Sequence, residues 1–218
     1  MSSSAQTMSS WFSKFSKAET GVLWDLDDCP IPSDQTPASI SDNIKLALKN
    51  NGYTGNVSMV AYSSSSVEQI NEEEEFESAG IKLIEPDSRS KLISMFKDIH
   101  IWGITHLNDP TNLLIISDDD ISQNEGIVEA LVRLRKRDNN ILLSHPQNAS
   151  GLLLSTATSV WLWNSLSTGG NPINKTGSTS CPRCAKRLAN KLKKKRPINK
   201  LSGKFLATLS RKRKKTGY

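Results

Sequence analysis

Apolar and polar positions along the chain follow two rhythms. Short apolar runs end abruptly in polar turns, and between them apolar residues recur at helical spacing. The first run is Val22-Leu23-Trp24, inside GVLWDLDDCP (21–30), and it leads straight into Asp25, Asp27 and Asp28. It reads as a buried strand with acidic residues at its exit. A helix is expected over Thr36–Asn50. Thr36 suits the N-cap and Pro37 the first helical position, Ile40, Ile44, Ala47 and Leu48 form the apolar stripe, and Asn50-Asn51-Gly52 stops it. NVSMVAY (56–62) is a second strand. Ser65 and Glu68 have capping-box spacing for a short helix, and the run Glu72–Glu75 reads as a solvated face or loop.

Ile81–Ile84 is a third short strand after Gly80. Ser90–Leu107 reads as a longer helix with Leu92, Ile93, Phe96, Ile99 and Ile104 as core positions, broken by Asn108-Asp109-Pro110. NLLIIS (112–117) is almost wholly apolar, as a parallel strand covered on both faces should be, and it ends in Asp118-Asp119-Asp120. Ser122 and Glu125 have capping-box spacing for the next helix, whose stripe is Ile127, Ala130, Leu131 and Leu134. Arg133, Arg135, Lys136 and Arg137 lie where cations suit the helix dipole. Asn140–Ser144 is a fifth strand. After the turn at His145-Pro146-Gln147-Asn148, a last helix is expected over Ala149–Leu166, carrying Trp161 and Trp163.

Strands alternating with helices imply an α/β fold with a mainly parallel sheet covered on both faces. Right-handed crossovers place the exits of the first and fourth strands at the same edge. The clusters Asp25–Asp28 and Asp118–Asp120 then converge, although they are far apart in sequence.

Charge divides the chain. The net charge of +6 hides a tail, residues 171–218, that holds 16 of the 28 Lys and Arg and none of the 22 Asp and Glu. The body before it is acidic and the tail is suited to a polyanion. The expected domains are a flexible Ser-rich leader (1–19), a folded body (20–168) and a basic, largely disordered tail (169–218) with short helices. No apolar run is long enough to span a bilayer. The leader has no apolar h-region, so no secretory signal is expected. Three cysteines make no disulfide framework, which points to a reducing compartment. Cys181 and Cys184 have the spacing of half a zinc site, but a structural zinc needs four ligands, so two ordinary thiols are the simpler reading.

Convergent carboxylates repel one another unless a cation or a shared proton lies between them. At strand exits they suit Mg²⁺ or Mn²⁺, hard cations that take oxygen ligands and keep several waters. Such a metal activates water and stabilises charge on a phosphoryl oxygen. Asp98, in the Ser90–Leu107 helix beside Phe96 and Ile99, is a candidate further carboxylate; the alternative is an ordinary surface Asp.

The ordered set GVLWDLDDCPIP, ASISDNIKLALKNNGY, NVSMVAY, ESAGIKLI, NLLIISDDDIS and EALVRLRKRDNNILLSHPQNASGLLLSTATSVWLW resembles the NYN domain of the PIN-like nucleases. The likeness is nearest to the limkain-b-type (meiosis regulator and mRNA stability factor) branch in its plant form, and it spans roughly Gly21 to Ser167. It implies a PIN-like three-layer α/β/α sandwich and a metal-dependent endoribonuclease acting on single-stranded RNA in post-transcriptional regulation, with Mg²⁺ or Mn²⁺ as cofactor. Asp25 matches the first acidic residue of the family. Asp27 and Asp28 fall where many members have Glu and Asn. Asp98 lies in the helix that supplies a middle acidic residue. Ser117-Asp118 and Asp119 or Asp120 fall on the family's Ser-Gly-Asp. The implied catalytic set is Asp25, Asp28, Asp98, Asp119 and Asp120, with Asp25, Asp98, Asp119 and Asp120 on the metal and Ser117, Asp27 and Asp118 in support. The tail blocks, Lys193, Lys194, Lys195, Arg196, Arg211, Lys212 and Arg213, are expected to bind RNA or direct nuclear import. A cytoplasmic or nuclear location follows, with peroxisomes suggested by family association alone.

Two other readings stand beside this one. Asp118 replaces the usual Gly, and a noncatalytic RNA-binding regulatory module, with protein partners, fits that departure. Alternatively, Asp25-Leu26-Asp27 resembles the first motif of haloacid-dehalogenase-type phosphohydrolases, with Asp25 as nucleophile, Asp27 as general acid, and Ser63 and the Asp triplet as later motifs. Against it, Asp28 stands where Thr or Val is common, and no cap domain is evident.

Overall fold

The structure is a computed structural model, and it describes residues 13–64, 73–84, 91–118, 121, 124–146 and 151–173. The element order is β1 (Thr20–Asp25), α1 (Pro37–Asn50), β2 (Val57–Tyr62), α2 (Glu73–Ser78), β3 (Ile81–Ile84), α3 (Lys91–Thr105), β4 (Thr111–Ile116), α4 (Glu125–Lys136), β5 (Asn139–His145), α5 (Gly151–Thr156), β6 (Ser159–Leu162) and α6 (Trp163–Leu166). The six strands form one sheet in the order β3-β2-β1-β4-β5-β6, and every pairing is parallel.

Two apolar clusters sandwich this sheet. Val22 and Trp24 of β1, with Leu114 and Ile116 of β4, face Ile40, Ile44, Ala47 and Leu48 of α1. Leu23, Leu113 and Ile115, one residue out of phase, face Met95 and Ile99 of α3 and Ile127 and Leu131 of α4. The two-residue period of a strand sends alternate side chains to opposite faces, so the nearly continuous apolar run of β4 serves both layers. Each fully buried Val, Leu, Ile or Met side chain among these contributes about 1.5–3 kcal/mol relative to exposure. The fold is therefore a three-layer α/β/α sandwich.

Helix α1 starts as its sequence dictates. The Thr36 hydroxyl accepts from Ser39 N–H, the Ser39 hydroxyl accepts from Thr36 N–H, and Pro37 occupies the first turn. Helix α4 does not begin from Ser122, which lies outside the described residues. Its N-cap is Asn124, whose side chain accepts from Gly126 and Ile127 N–H. Of the core positions expected in α3, Ile99 is buried and Leu92 and Phe96 are partly buried, but Ile93 and Ile104 are exposed. The buried stripe is Met95, Ile99 and Gly103, rotated from the expected face. Glu73, Glu74 and Glu75 are exposed in the first turn of α2, so this part of the glutamate run is a solvated helical face. The Ser65/Glu68 capping box lies outside the described residues.

The last helix expected over Ala149–Leu166 is instead α5, β6 and α6. The sixth strand pairs with β5 from Leu142↔Ser159 to His145↔Leu162. Val160 packs in the α3/α4 cluster and Trp161 in the α1 cluster, an alternation that a helix cannot produce. The folded domain also reaches beyond its expected limits. Phe15, expected in the flexible leader, is 1% exposed within the core. Its carbonyl accepts from Asn112 Nδ2, and Ser16 O accepts from Thr54 N–H. At the other end Ile173 N–H donates to Val160 O, past the expected boundary at 168. No described helix is long and apolar enough to cross a membrane.

Candidate functional site at the carboxyl edge of the sheet

The strand order reverses between β1 and β4, and open α/β sheets bind ligands in the crevice outside such a switch point. Asp25 is the last residue of β1 and is fully buried. The chain turns sharply after it. Cys29 N–H donates to Asp25 O at 3.0 Å, and Trp24 Nε1 donates to Cys29 O at 2.8 Å. The turn brings Asp27 and Asp28 N–H onto Asp25 Oδ1 at 3.0 and 3.3 Å. These contacts are the local reason three aspartates sit together, since Asp side chains accept readily from backbone N–H two or three residues on.

Each of the other two aspartates reaches a different neighbour. Asp28 Oδ2 accepts the Ser117 hydroxyl at 3.0 Å and Asp118 N–H at 3.2 Å, joining the exits of β1 and β4. Asp27 accepts Ser64 N–H at 3.2 Å and the Ser63 hydroxyl at 3.5 Å, joining β1 to the exit of β2. Lys91, the first residue of α3, bridges the cluster. Its Nζ lies 2.8 Å from Asp25 Oδ1 and 2.8 Å from Asp27 Oδ2.

Electrostatics differ sharply between the paired aspartates. Burial pushes the Asp25 carboxyl up to about 6, with the Asp28 charge adding to the rise and Lys91 opposing it. Asp27 is held below the ordinary value, because hydrogen bonds from Lys91 and Ser64 outweigh its partial burial. Burial also works against the Lys91 ammonium, but its bonds to Asp25 and Asp27 prevail and raise its pKa. The Cys29 thiol is pushed far up by burial and by the Asp28 and Asp25 charges, so it stays protonated and unreactive.

Asp98 is not part of this cluster's hydrogen bonding. Its carboxylate accepts the Tyr62 hydroxyl at 2.7 Å. It stands seven residues along α3 from Lys91, about 10 Å of helix. There it lines an open cavity of about 200 Å³ with Leu23, Val60, Lys82 and Trp102. Burial and then Asp98 raise the Tyr62 pKa, so Tyr62 remains a donor.

The structure thus brings together Asp25, Asp27, Asp28, Ser117 and Asp118. Asp119 and Asp120 lie outside the described residues, as do Lys193, Lys194, Lys195, Arg196, Arg211, Lys212, Arg213, Cys181 and Cys184. Lys91 is not among the residues the sequence points to. The one signal for it is a cation at the start of the helix that follows the third strand.

Whether these residues suit a divalent metal turns on their donor atoms. Among the described residues, no three His, Cys, Asp or Glu side chains are grouped closely enough to hold an ion by themselves. Asp25 Oδ2, however, is a buried carboxylate oxygen with no hydrogen-bond partner. Such an orphaned acceptor is costly and calls for a proton or a cation. Oxygen donors of this kind suit Mg²⁺ or Mn²⁺. No family model matches the chain, and neither does any curated protein.

Proposed function

We propose that the chain is a metal-dependent RNA phosphodiesterase of the NYN type, acting on single-stranded RNA as an endonuclease in post-transcriptional regulation, in the cytoplasm or nucleus. The observation that carries this reading is the orphaned Oδ2 of Asp25, buried in the crevice where the β1 and β4 exits meet. The other oxygen of Asp25 is taken up by Asp27 N–H, Asp28 N–H and Lys91, so Oδ2 is the oxygen left over for a ligand. Support also comes from the resemblance to NYN domains and from the basic tail.

In this reading Asp25 would be the principal ligand of Mg²⁺ or Mn²⁺, with Asp119 or Asp120 as the second; Asp98, expected from the resemblance as a further ligand, is instead held by Tyr62 away from the cluster. Mg²⁺ or Mn²⁺ held by Asp25 would supply an activated water and offset charge on the phosphoryl oxygens. The chain's own residues do the rest. Asp28, through Ser117 Oγ and Asp118 N–H, fixes the β4 exit beside Asp25. The buried Asp25 carboxyl is shielded from bulk water, which strengthens its attraction for a cation. The tail delivers the polyanionic substrate by counterion release.

The test is cleavage of single-stranded RNA by the purified full chain with Mg²⁺ or Mn²⁺. Asp25→Asn should abolish it, and undiminished cleavage would remove the proposed site. Retention of RNA by the tail with no metal-dependent cutting, in wild type as well, would establish the noncatalytic alternative.

A haloacid-dehalogenase-type phosphohydrolase is the second reading, resting on Asp25-Leu26-Asp27, whose two aspartates Lys91 bridges while Ser63 and Ser64 bond Asp27. There Asp25 would attack the phosphorus of a phosphomonoester and Asp27 would give the leaving group its proton, a role that the Lys91 and Ser64 bonds oppose by favouring the ionised Asp27. It predicts turnover of small phosphoesters that Asp27→Asn abolishes.

A further inference from the structure

The carboxyl edge already contains a cation of its own. Asp25, Asp27 and Asp28 lie within one turn of chain, and the ammonium that meets them comes from Lys91, on another element. Its side chain is 17% exposed, against 0% for Asp25 and 28% for Asp27, so the ion pair sits at the mouth of the buried carboxylate. Lys91 approaches Asp25 through Oδ1, leaving Oδ2 with no partner. The ammonium therefore neutralises the cluster incompletely. One positive charge faces several aspartates, and a buried acceptor stays unsatisfied.

We propose that Lys91 is a tethered counter-ion that holds the metal position of this site and is displaced when a divalent cation binds. The proposal rests on the metal-binding reading of Asp25. A divalent ion carries twice the charge and can engage both oxygens of Asp25, so it satisfies what Lys91 leaves over. It cannot share Asp25 Oδ1 and Asp27 Oδ2 with an ammonium already 2.8 Å from each without like-charge repulsion. Lysine suits the exchange, being a point charge on a flexible four-carbon stem. With its backbone fixed at the start of α3, the side chain can leave toward solvent while the helix stays in place. Lys91 thus stabilises the metal-free domain and weakens metal binding.

The experiment is a titration of the full chain with Mn²⁺, reading free Mn²⁺ by electron paramagnetic resonance and the melting temperature in parallel. Wild type, Lys91→Met, Lys91→Gln, Lys91→Arg and Asp25→Asn are compared. Lys91→Met should bind Mn²⁺ at least tenfold more tightly than wild type, melt lower without metal, and gain more on adding it. Lys91→Gln, which keeps a polar side chain, covers the case in which Met does not fold, and Lys91→Arg, which keeps the positive charge, should bind Mn²⁺ no more tightly than wild type. Unchanged or weaker Mn²⁺ binding in the neutral variants would overturn the proposal. If Asp25→Asn also loses binding in that case, the metal site itself survives. If Asp25→Asn binds Mn²⁺ as wild type does, both the metal reading of Asp25 and the role of Lys91 fall.

Discussion

The Ser117 hydroxyl donates to Asp28 Oδ2 at 3.0 Å, across 89 positions of sequence, and so pins the loop after β1 to the exit of β4. Asp118 N–H reinforces the same carboxylate at 3.2 Å. Ser117 is fully buried, so its hydroxyl has exchanged water for this one charged acceptor. Hydrogen bonds to charged groups are worth about 1.5–3 kcal/mol, more than neutral ones. Ser117→Ala should therefore lower unfolding stability by about 1–2 kcal/mol, since Asp118 N–H still serves Asp28. Urea denaturation should show a lower midpoint with an unchanged slope. An unchanged midpoint would mean the two strand exits are held together by packing alone.

Asp25 gives the domain a pH signature. Burial raises its pKa from 3.8 to about 6, so the native state holds this proton more tightly than the unfolded chain. Stability from this group is complete below the unfolded value and is lost as pH rises through the folded one. The ionised carboxylate then costs on the order of 3 kcal/mol, at 1.36 kcal/mol per unit. Asp25→Asn removes the titration while keeping an acceptor for Asp27 and Asp28 N–H. Between pH 4.5 and 7.5, in metal-free buffer, the stability difference should move toward the variant by about 2 kcal/mol. Parallel stability profiles for variant and wild type across that range would rule out a raised Asp25.

Much of this arrangement is legible in the sequence, and the failures have identifiable causes. Val22-Leu23-Trp24 and NLLIIS are strands on any reading, because their uninterrupted apolar character suits a sheet covered on both faces. Once both are parallel, their aspartates must meet at one edge. The stretch 157–163 misleads because a short apolar run lacks a decisive period. Val160 and Trp161 choose strand geometry only when β5 offers an edge and both sheet faces offer a core. In α3 the helix is legible but its rotation is not. Ile93 and Ile104 are apolar yet exposed, while Gly103, on the buried stripe, lets Leu134 of α4 approach α3 closely. Asp98 depends on the same rotation, which hands it to Tyr62. Lys91 is invisible for a different reason. A lysine at a helix start is ordinary, and its role arises from tertiary placement beside two aspartates.

The close approach of α3 to β1 supplies the last prediction. A Cβ on Gly21 would lie 2.7–2.9 Å from three atoms of the Trp102 ring. That ring has little freedom to retreat. Its Nε1 donates to Thr111 Oγ1 at 3.0 Å, and it packs against His106 at 4.1 Å between centroids. Glycine is therefore required at 21 for space, since a side chain there would push α3 off the sheet. Gly21→Ala should destabilise the domain by about 1–3 kcal/mol, the usual cost of overpacking a filled core. A smaller ring opposite should relieve the clash, so Gly21→Ala and Trp102→Phe should be non-additive, with the second change costing less in the alanine background than alone. A double-mutant cycle by urea denaturation measures this coupling. Full additivity would show that Trp102 does not set the separation of β1 and α3.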